Sequence, residues 1–170
     1  MIVTETNRLI ISKFTIDDAA FFMELVNTPN WLTYIGDRNV KTIEDAKKHI
    51  TQGHLKSYQT NGFGFYKLLL KEENNKPIGT CGLIKRDTLE HVDIGFAMLP
   101  AYEGKGFGYE SSIAIMELAQ NEFKLKKVVA ITLETNTNSI KLLEKLGLSF
   151  EKRVKPFVDN EELLLFARTF

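Results

Sequence analysis

The chain has 170 residues, 44% hydrophobic and 26% charged, a balance that fits one globular domain, residues 1–170, with a full core. Lys plus Arg and Asp plus Glu each number 22, so no basic excess draws the chain onto nucleic acid or an anionic membrane. The lone cysteine, Cys81, excludes an intramolecular disulfide and a cysteine-based zinc site, and His49, His54 and His91 lack metal-ligand spacing. No apolar run approaches the ~20 residues of a membrane span and no signal pattern opens the chain, so a reduced cytoplasm is expected.

Residues 8–14 form a short apolar run with β-branched members, which predicts a strand. Thr15 with Asp18 approximates a capping box for a helix over residues 17–26, and Asn27, Thr28, Pro29 and Asn30 break it. Residues 31–39 predict an irregular connection, with Trp31 and Tyr34 as core aromatics covering it. Thr42 with Asp45 opens a second helix running to residue 58, with Ala46, Ile50 and Leu55 inward. Residues 65–70 and 78–84 read as a hairpin, and residues 91–98 as a third strand beside it. A glycine-rich loop and a helix to about residue 123 follow. The apolar run 128–132 suits a strand buried on both faces. A helix over 137–145 ends at Gly147, and strands 150–158 and 163–168 flank a turn at Asp159 and Asn160. This order predicts an α/β fold, a mixed sheet with helices on both faces.

The loop between the third strand and its helix carries the chemistry. Gly104, Gly106 and Gly108 alternate with Lys105 and Phe107, so backbone amides can approach a ligand without an intervening Cβ. A helix N-terminus suits a diphosphate through its unpaired N–H groups and its partial positive charge. The spacing fits neither G-x-G-x-x-G, since Tyr109 stands where a glycine is needed, nor the P-loop pattern. Taken alone, the cluster is equally compatible with a bare turn.

Two longer segments decide the matter. D-I-G-F-A-M-L-P-A-Y-E-G-K-G-F-G-Y-E and V-V-A-I-T-L-E-T-N-T-N-S-I-K-L-L-E-K-L-G-L resemble the core motifs of the GNAT N-acetyltransferases, in the ribosomal-protein N-terminal acetyltransferase-like variety. The acetyl-CoA pyrophosphate loop of that family falls on Glu103 to Gly108, and N-x-x-S-x-x-L-L-E-K-L-G-F on Asn136 to Leu148. The N-R-L-I-I opening and the W-L-T-Y-I-G-D-R segment extend the likeness over nearly the whole chain. It implies a mostly antiparallel sheet of six to seven strands whose fourth and fifth, about residues 91–98 and 128–133, splay to admit the thioester arm of acetyl-CoA.

The same resemblance assigns roles. Met98 pairs its backbone with the pantetheine arm, and Gly104, Lys105, Gly106, Phe107 and Gly108 hold the diphosphate. Lys105 either adds charge or is simply solvated. A main-chain N–H near Phe96 or Ala97 serves the oxyanion. Asn136 contacts the cofactor arm, caps its helix, or does both. Ser139 gives a proton to the sulfur or acts only as a cap. Leu143 occupies the position where many members carry a tyrosine. Asp93 is the candidate base, with Glu90 and His91 as alternatives, and it reads otherwise as an exposed or salt-bridged strand residue. Trp31 and Tyr34 border the acceptor site. Glu103 replaces the usual glutamine or arginine, and Glu134 with Thr135 replaces Pro-Glu. The implied activity is acetyl-CoA-dependent acetylation of a primary amine, small or at a peptide N-terminus, by a monomer or homodimer. A ribosomal-type N-terminal acetyltransferase and a non-catalytic acyl-CoA sensor are the alternatives.

Overall fold

A computed structural model describes residues 1–170. One 8-stranded sheet runs in the order β1-β2-β3-β4-β5-β6-β8-β7. Its strands are β1 (Ile2–Glu5), β2 (Leu9–Lys13), β3 (Phe65–Leu70), β4 (Lys76–Ile84), β5 (Asp93–Met98), β6 (Lys127–Thr132), β7 (Ser149–Val154) and β8 (Leu163–Thr169). Every neighbouring pair is antiparallel except β5 and β6. The helices are α1 (Ala19–Val26), α2 (Pro29–Tyr34), α3 (Ile43–His49), α4 (Lys56–Asn61), α5 (Phe107–Asn121) and α6 (Thr137–Lys145). None is long and apolar enough to cross a membrane.

The sheet therefore exceeds the expected six to seven strands. The extra one, β1, is a four-residue edge segment with both ends exposed, and its identity comes from pairing Ile2 with Ser12 and Thr4 with Ile11 rather than from any alternation of its own. Helix α2 also replaces an expected break. Pro29 stands at its first turn, where the missing N–H would have no intrahelical acceptor in any case. The expected helix over 42–58 begins at its Thr42–Asp45 capping box but contains a π-helical stretch, Ile50–Leu55, before α4 ends at Gly62. β7 stops at Val154, short of the expected residue 158.

Apolar alternation drives the packing. Leu9, Ile11, Leu68, Ile78, Leu83 and Ile94 belong to one buried cluster with Ile115, Met116 and Ala119 of α5. A second cluster joins α1 to α3 through Phe22, Val26, Ala46 and Ile50, with Phe14 at the end of β2. Burying a side chain of this size contributes about 1.5–3 kcal/mol, so the two clusters fix α5 and the α1–α3 layer on the sheet.

What positions the site is the failure of β5 and β6 to pair along their length. Their ladder holds one pair, Asp93 with Val129, next to a bond from Val129 N–H to the Val92 carbonyl at 3.0 Å. Beyond that point the strands separate. β5 stays attached to β4, and Leu99 N–H donates to the Ile78 carbonyl at 2.8 Å. Hydrogen bonding alternates along an antiparallel strand, so the Ala97 and Gly95 N–H groups also face β4. Phe96 and Met98 consequently turn theirs toward the gap.

Candidate active site

A cleft of about 960 Å³ occupies the gap between β5 and β6 and continues under α2 and the π-helical stretch. Phe96, Ala97 and Met98 line it from β5, and Ala130, Ile131 and Thr132 from β6.

At one mouth lies the glycine loop. Gly104 (φ +70°) and Gly106 (φ +85°) are left-handed, and Gly106 immediately precedes α5. A side chain there would be strained, because a Cβ crowds the neighbouring carbonyl at positive φ. The amides of Gly104 through Tyr109 donate to no acceptor within the protein, so consecutive N–H groups are left for a ligand. Gly108 also lets α6 approach, since a Cβ would stand 3.0 Å from Leu142 Cδ1. The loop is anchored by Arg8, whose Nη1 donates to the Lys105 carbonyl at 3.1 Å and whose Nε donates to Glu110 at 2.7 Å. The same guanidinium lies 4.1 Å from the Phe107 ring centroid. The Lys105 side chain does not line the cleft, and its Nζ sits 5.9 Å from the Tyr102 ring centroid. Glu103 lines the cleft with its carboxylate engaged by the Asn30 amide at 2.7 Å, which ties the loop to α2.

The start of α6 forms the facing wall. Asn136 is its N-cap, with Oδ1 accepting from Ser139 N–H at 3.3 Å. The Asn136 side-chain NH₂ has no partner in the protein, so capping leaves its donor end available. Ser139 lines the cleft, and its hydroxyl makes no internal hydrogen bond. Leu143, also on this wall, is 1% exposed and packs into the main core.

The inner end is polar and charged. Asp93 is 2% exposed and accepts from Arg86 Nε at 3.0 Å. It is thus the salt-bridged residue that the sequence left open, although buried rather than exposed. Burial raises its carboxyl from the ordinary 3.8 to about 6, against the pull of Arg86. Glu90, at 85% side-chain exposure, and His91 point elsewhere and do not line the cleft. Trp31 and Tyr34 do line it, and the Trp31 indole N–H is buried without a partner.

Five lining residues, Arg38, Arg86, Phe157, His49 and His54, could not be singled out individually in the sequence. They come from separate segments, and only folding brings them to one cleft, where Arg86 meets Asp93. Arg8 was visible in the N-R-L-I-I opening, yet nothing there identified it as the anchor of the glycine loop.

His54 sits between Phe14 and Phe22, with ring centroids 4.5 Å and 5.1 Å away. Burial, with help from the charge of His49, lowers it from 6.5 to about 4. Acidification below 6.5 therefore protonates His54 in the unfolded chain first, and stability is lost down to about pH 4. A difference of this size is worth up to about 3 kcal/mol. Asp93 works in the opposite direction, since its folded carboxyl takes a proton first as pH falls through about 6. The effect of His54 is consequently isolated by comparison with His54→Leu. Urea melts should show wild type losing up to about 3 kcal/mol relative to the variant between pH 7 and pH 4; a pH-independent difference would contradict a neutral, buried His54.

Residues 8–149 match the acetyltransferase (GNAT) domain family. The uncharacterized N-acetyltransferase YnaD of Bacillus subtilis (strain 168) is 27% identical over 146 residues, spanning 86% of this chain and 82% of YnaD. The ribosomal-protein-S5-alanine acetyltransferase of Vibrio fischeri superposes with a TM-score of 0.81 at 19% identity, over 98% of this chain and 95% of that one. The microcin C7 self immunity acetyltransferase MccE, solved with acetyl-CoA and AMP, gives 0.79 at 14% identity, over 96% and 93%. A family match across most of the length, on a sheet that opens between β5 and β6, means that the chain belongs to the GNAT acetyltransferase family.

Proposed function

We propose that this protein is an acetyl-CoA-dependent N-acetyltransferase in which a primary amine, bound in the same cleft, attacks the thioester directly. One observation carries the reading: a single cleft runs from a row of unpartnered amides, past the unpaired edge of β5, to a buried carboxylate. The donor set fits the group. Six consecutive amides from Gly104 to Tyr109, without acceptors of their own, suit a diphosphate. Lys141 and Lys145 line the same cleft from α6. MccE, of the same fold, was solved with acetyl-CoA.

Acetyl-CoA, when bound, supplies an activated acyl group. The residues of the chain do the rest. Met98 extends a strand-like hydrogen bond to the cofactor arm, and the Asn136 amide donates alongside it. Phe96 N–H, facing the gap, donates to the acyl oxygen as charge builds there, and Ala97 N–H is committed to β4. Asp93, directly or through water, takes the proton that the amine loses as the C–N bond forms and the C–S bond breaks. Ser139 Oγ–H donates to the departing sulfur and recovers its proton from solvent. Trp31 and Tyr34 contact the acceptor.

The test is release of free CoA thiol from acetyl-CoA in the presence of small amines and N-terminal peptides. Amine-dependent release is expected. Tight acetyl-CoA binding with no release for any amine would instead make the protein a non-catalytic acyl-CoA binder.

A further inference from the structure

The charges around Asp93 do not balance. Arg86 is paired with Asp93 and lies 5.3 Å from the Phe157 ring centroid. Arg38 lines the same cleft, is partly buried, and makes no ion pair or hydrogen bond. Burial and the neighbouring charge of Arg86 both disfavour its cationic form. Glu103 and Asp93 are the two acidic residues lining the cleft, and both are occupied, by Asn30 and Arg86. The buried Trp31 indole N–H adds another donor without an acceptor. A buried donor that stays unsatisfied is costly, and a guanidinium fork matches a carboxylate or phosphate in two parallel hydrogen bonds.

We infer that the acceptor is an amine carrying an anionic oxygen group, carboxylate or phosphate, which Arg38 receives while the amine faces Asp93. This rests on the acetyl-transfer reading above and specifies its substrate class. A polyamine fits poorly, because the cleft already holds Arg38 and Arg86, and its two carboxylates, Asp93 and Glu103, are both engaged. An amino acid or aminoalkyl phosphate carries both groups, an anion for Arg38 and an amine for Asp93. Trp31, Tyr34 and Phe157 line the same cleft and offer aromatic surface to the body of such an acceptor.

The experiment measures CoA release for matched acceptors: L-amino acids, the corresponding amino-acid amides, phosphoethanolamine and spermidine, each with wild type, Arg38→Gln and Arg38→Lys. The anionic members should exceed the amides and spermidine in kcat/KM by about 10- to 100-fold, the range of a charged hydrogen-bonded pair. Carboxylates against phosphoethanolamine distinguishes the two anion types. Arg38→Gln should collapse that preference, mainly through KM for the anionic members, and Arg38→Lys should restore part of it. Thermal melting of both variants checks that the fold survives. A preference for spermidine or amides, or an anionic preference that Arg38→Gln leaves intact, overturns the inference. Acetyl-CoA binding without turnover of any anionic amine overturns it too and leaves cofactor binding standing. Should acetyl-CoA itself not bind, the acetyl-transfer reading falls. Calorimetry of the same anionic amines then decides: binding that Arg38→Gln abolishes supports an anion site, and no binding removes it.

Discussion

Asp93→Asn is expected to lower kcat/KM by about 10²- to 10⁴-fold, the usual contribution of a positioned general base, with little change in acetyl-CoA affinity. The substitution keeps an oxygen to accept from Arg86 and removes the group that takes the amine proton. It should also alter the pH profile. Burial holds the Asp93 carboxyl at about 6, so the active, ionised form is lost as pH falls through that value. Wild-type kcat/KM should then drop about tenfold per pH unit below 6 on that account, and the variant should lack this limb. Stability is the necessary control: Asn keeps an acceptor for Arg86 Nε but leaves that guanidinium without its counter-charge, so a urea melt accompanies the kinetics and rates are compared per folded protein. An unchanged profile in Asp93→Asn would reduce Asp93 to a partner for Arg86.

The second large effect concerns the diphosphate. Gly106→Val should weaken acetyl-CoA binding at least about 100-fold, because the residue must hold φ near +85° to aim the following amides, and a β-branched side chain resists that region. Its Cβ would also lie 3.3 Å from Arg8 Nη2, the side chain that anchors the loop. Relief by rotation turns several N–H groups away from the ligand at once, each worth about 1.5–3 kcal/mol toward a charged acceptor. The strain in the folded protein is smaller, about 1–2 kcal/mol, so the variant should fold. Calorimetry with acetyl-CoA reads the affinity and a urea melt reads the stability. A dissociation constant within threefold of wild type would mean that the ligand does not sit on these amides.

The parts of the molecule legible in the sequence are those whose local pattern and tertiary role agree. β3 to β6 alternate or run apolar because they lie in the sheet interior, and both capping boxes stand where expected, at Thr15 and Thr42. The glycine loop and the Asn136 cap were legible for the same reason: each is a short-range backbone device. β1 was not, because its four residues acquire a partner only when the chain returns beside them. The π-helical stretch at Ile50–Leu55 has the same pattern of inward residues as an α-helix, so periodicity does not reveal it. The inner end of the cleft was the least legible. Asp93 could be picked out beside the I-G-F of its strand, but Arg38, Arg86 and His54 reach the same cleft from a loop after α2, the β4–β5 connection and the π-helical stretch, and Arg86 pairs with Asp93. No spacing rule joins positions so far apart, and charge balance over the whole chain conceals a local surplus of cations.

Where the acyl carrier rests is read directly by amide-resolved NMR titration with acetyl-CoA. The predicted result is saturable shifts concentrated at Gly104 to Tyr109, Phe96 and Met98. No shift at those amides at millimolar acetyl-CoA, or shifts confined to a distant element such as β1, would contradict it.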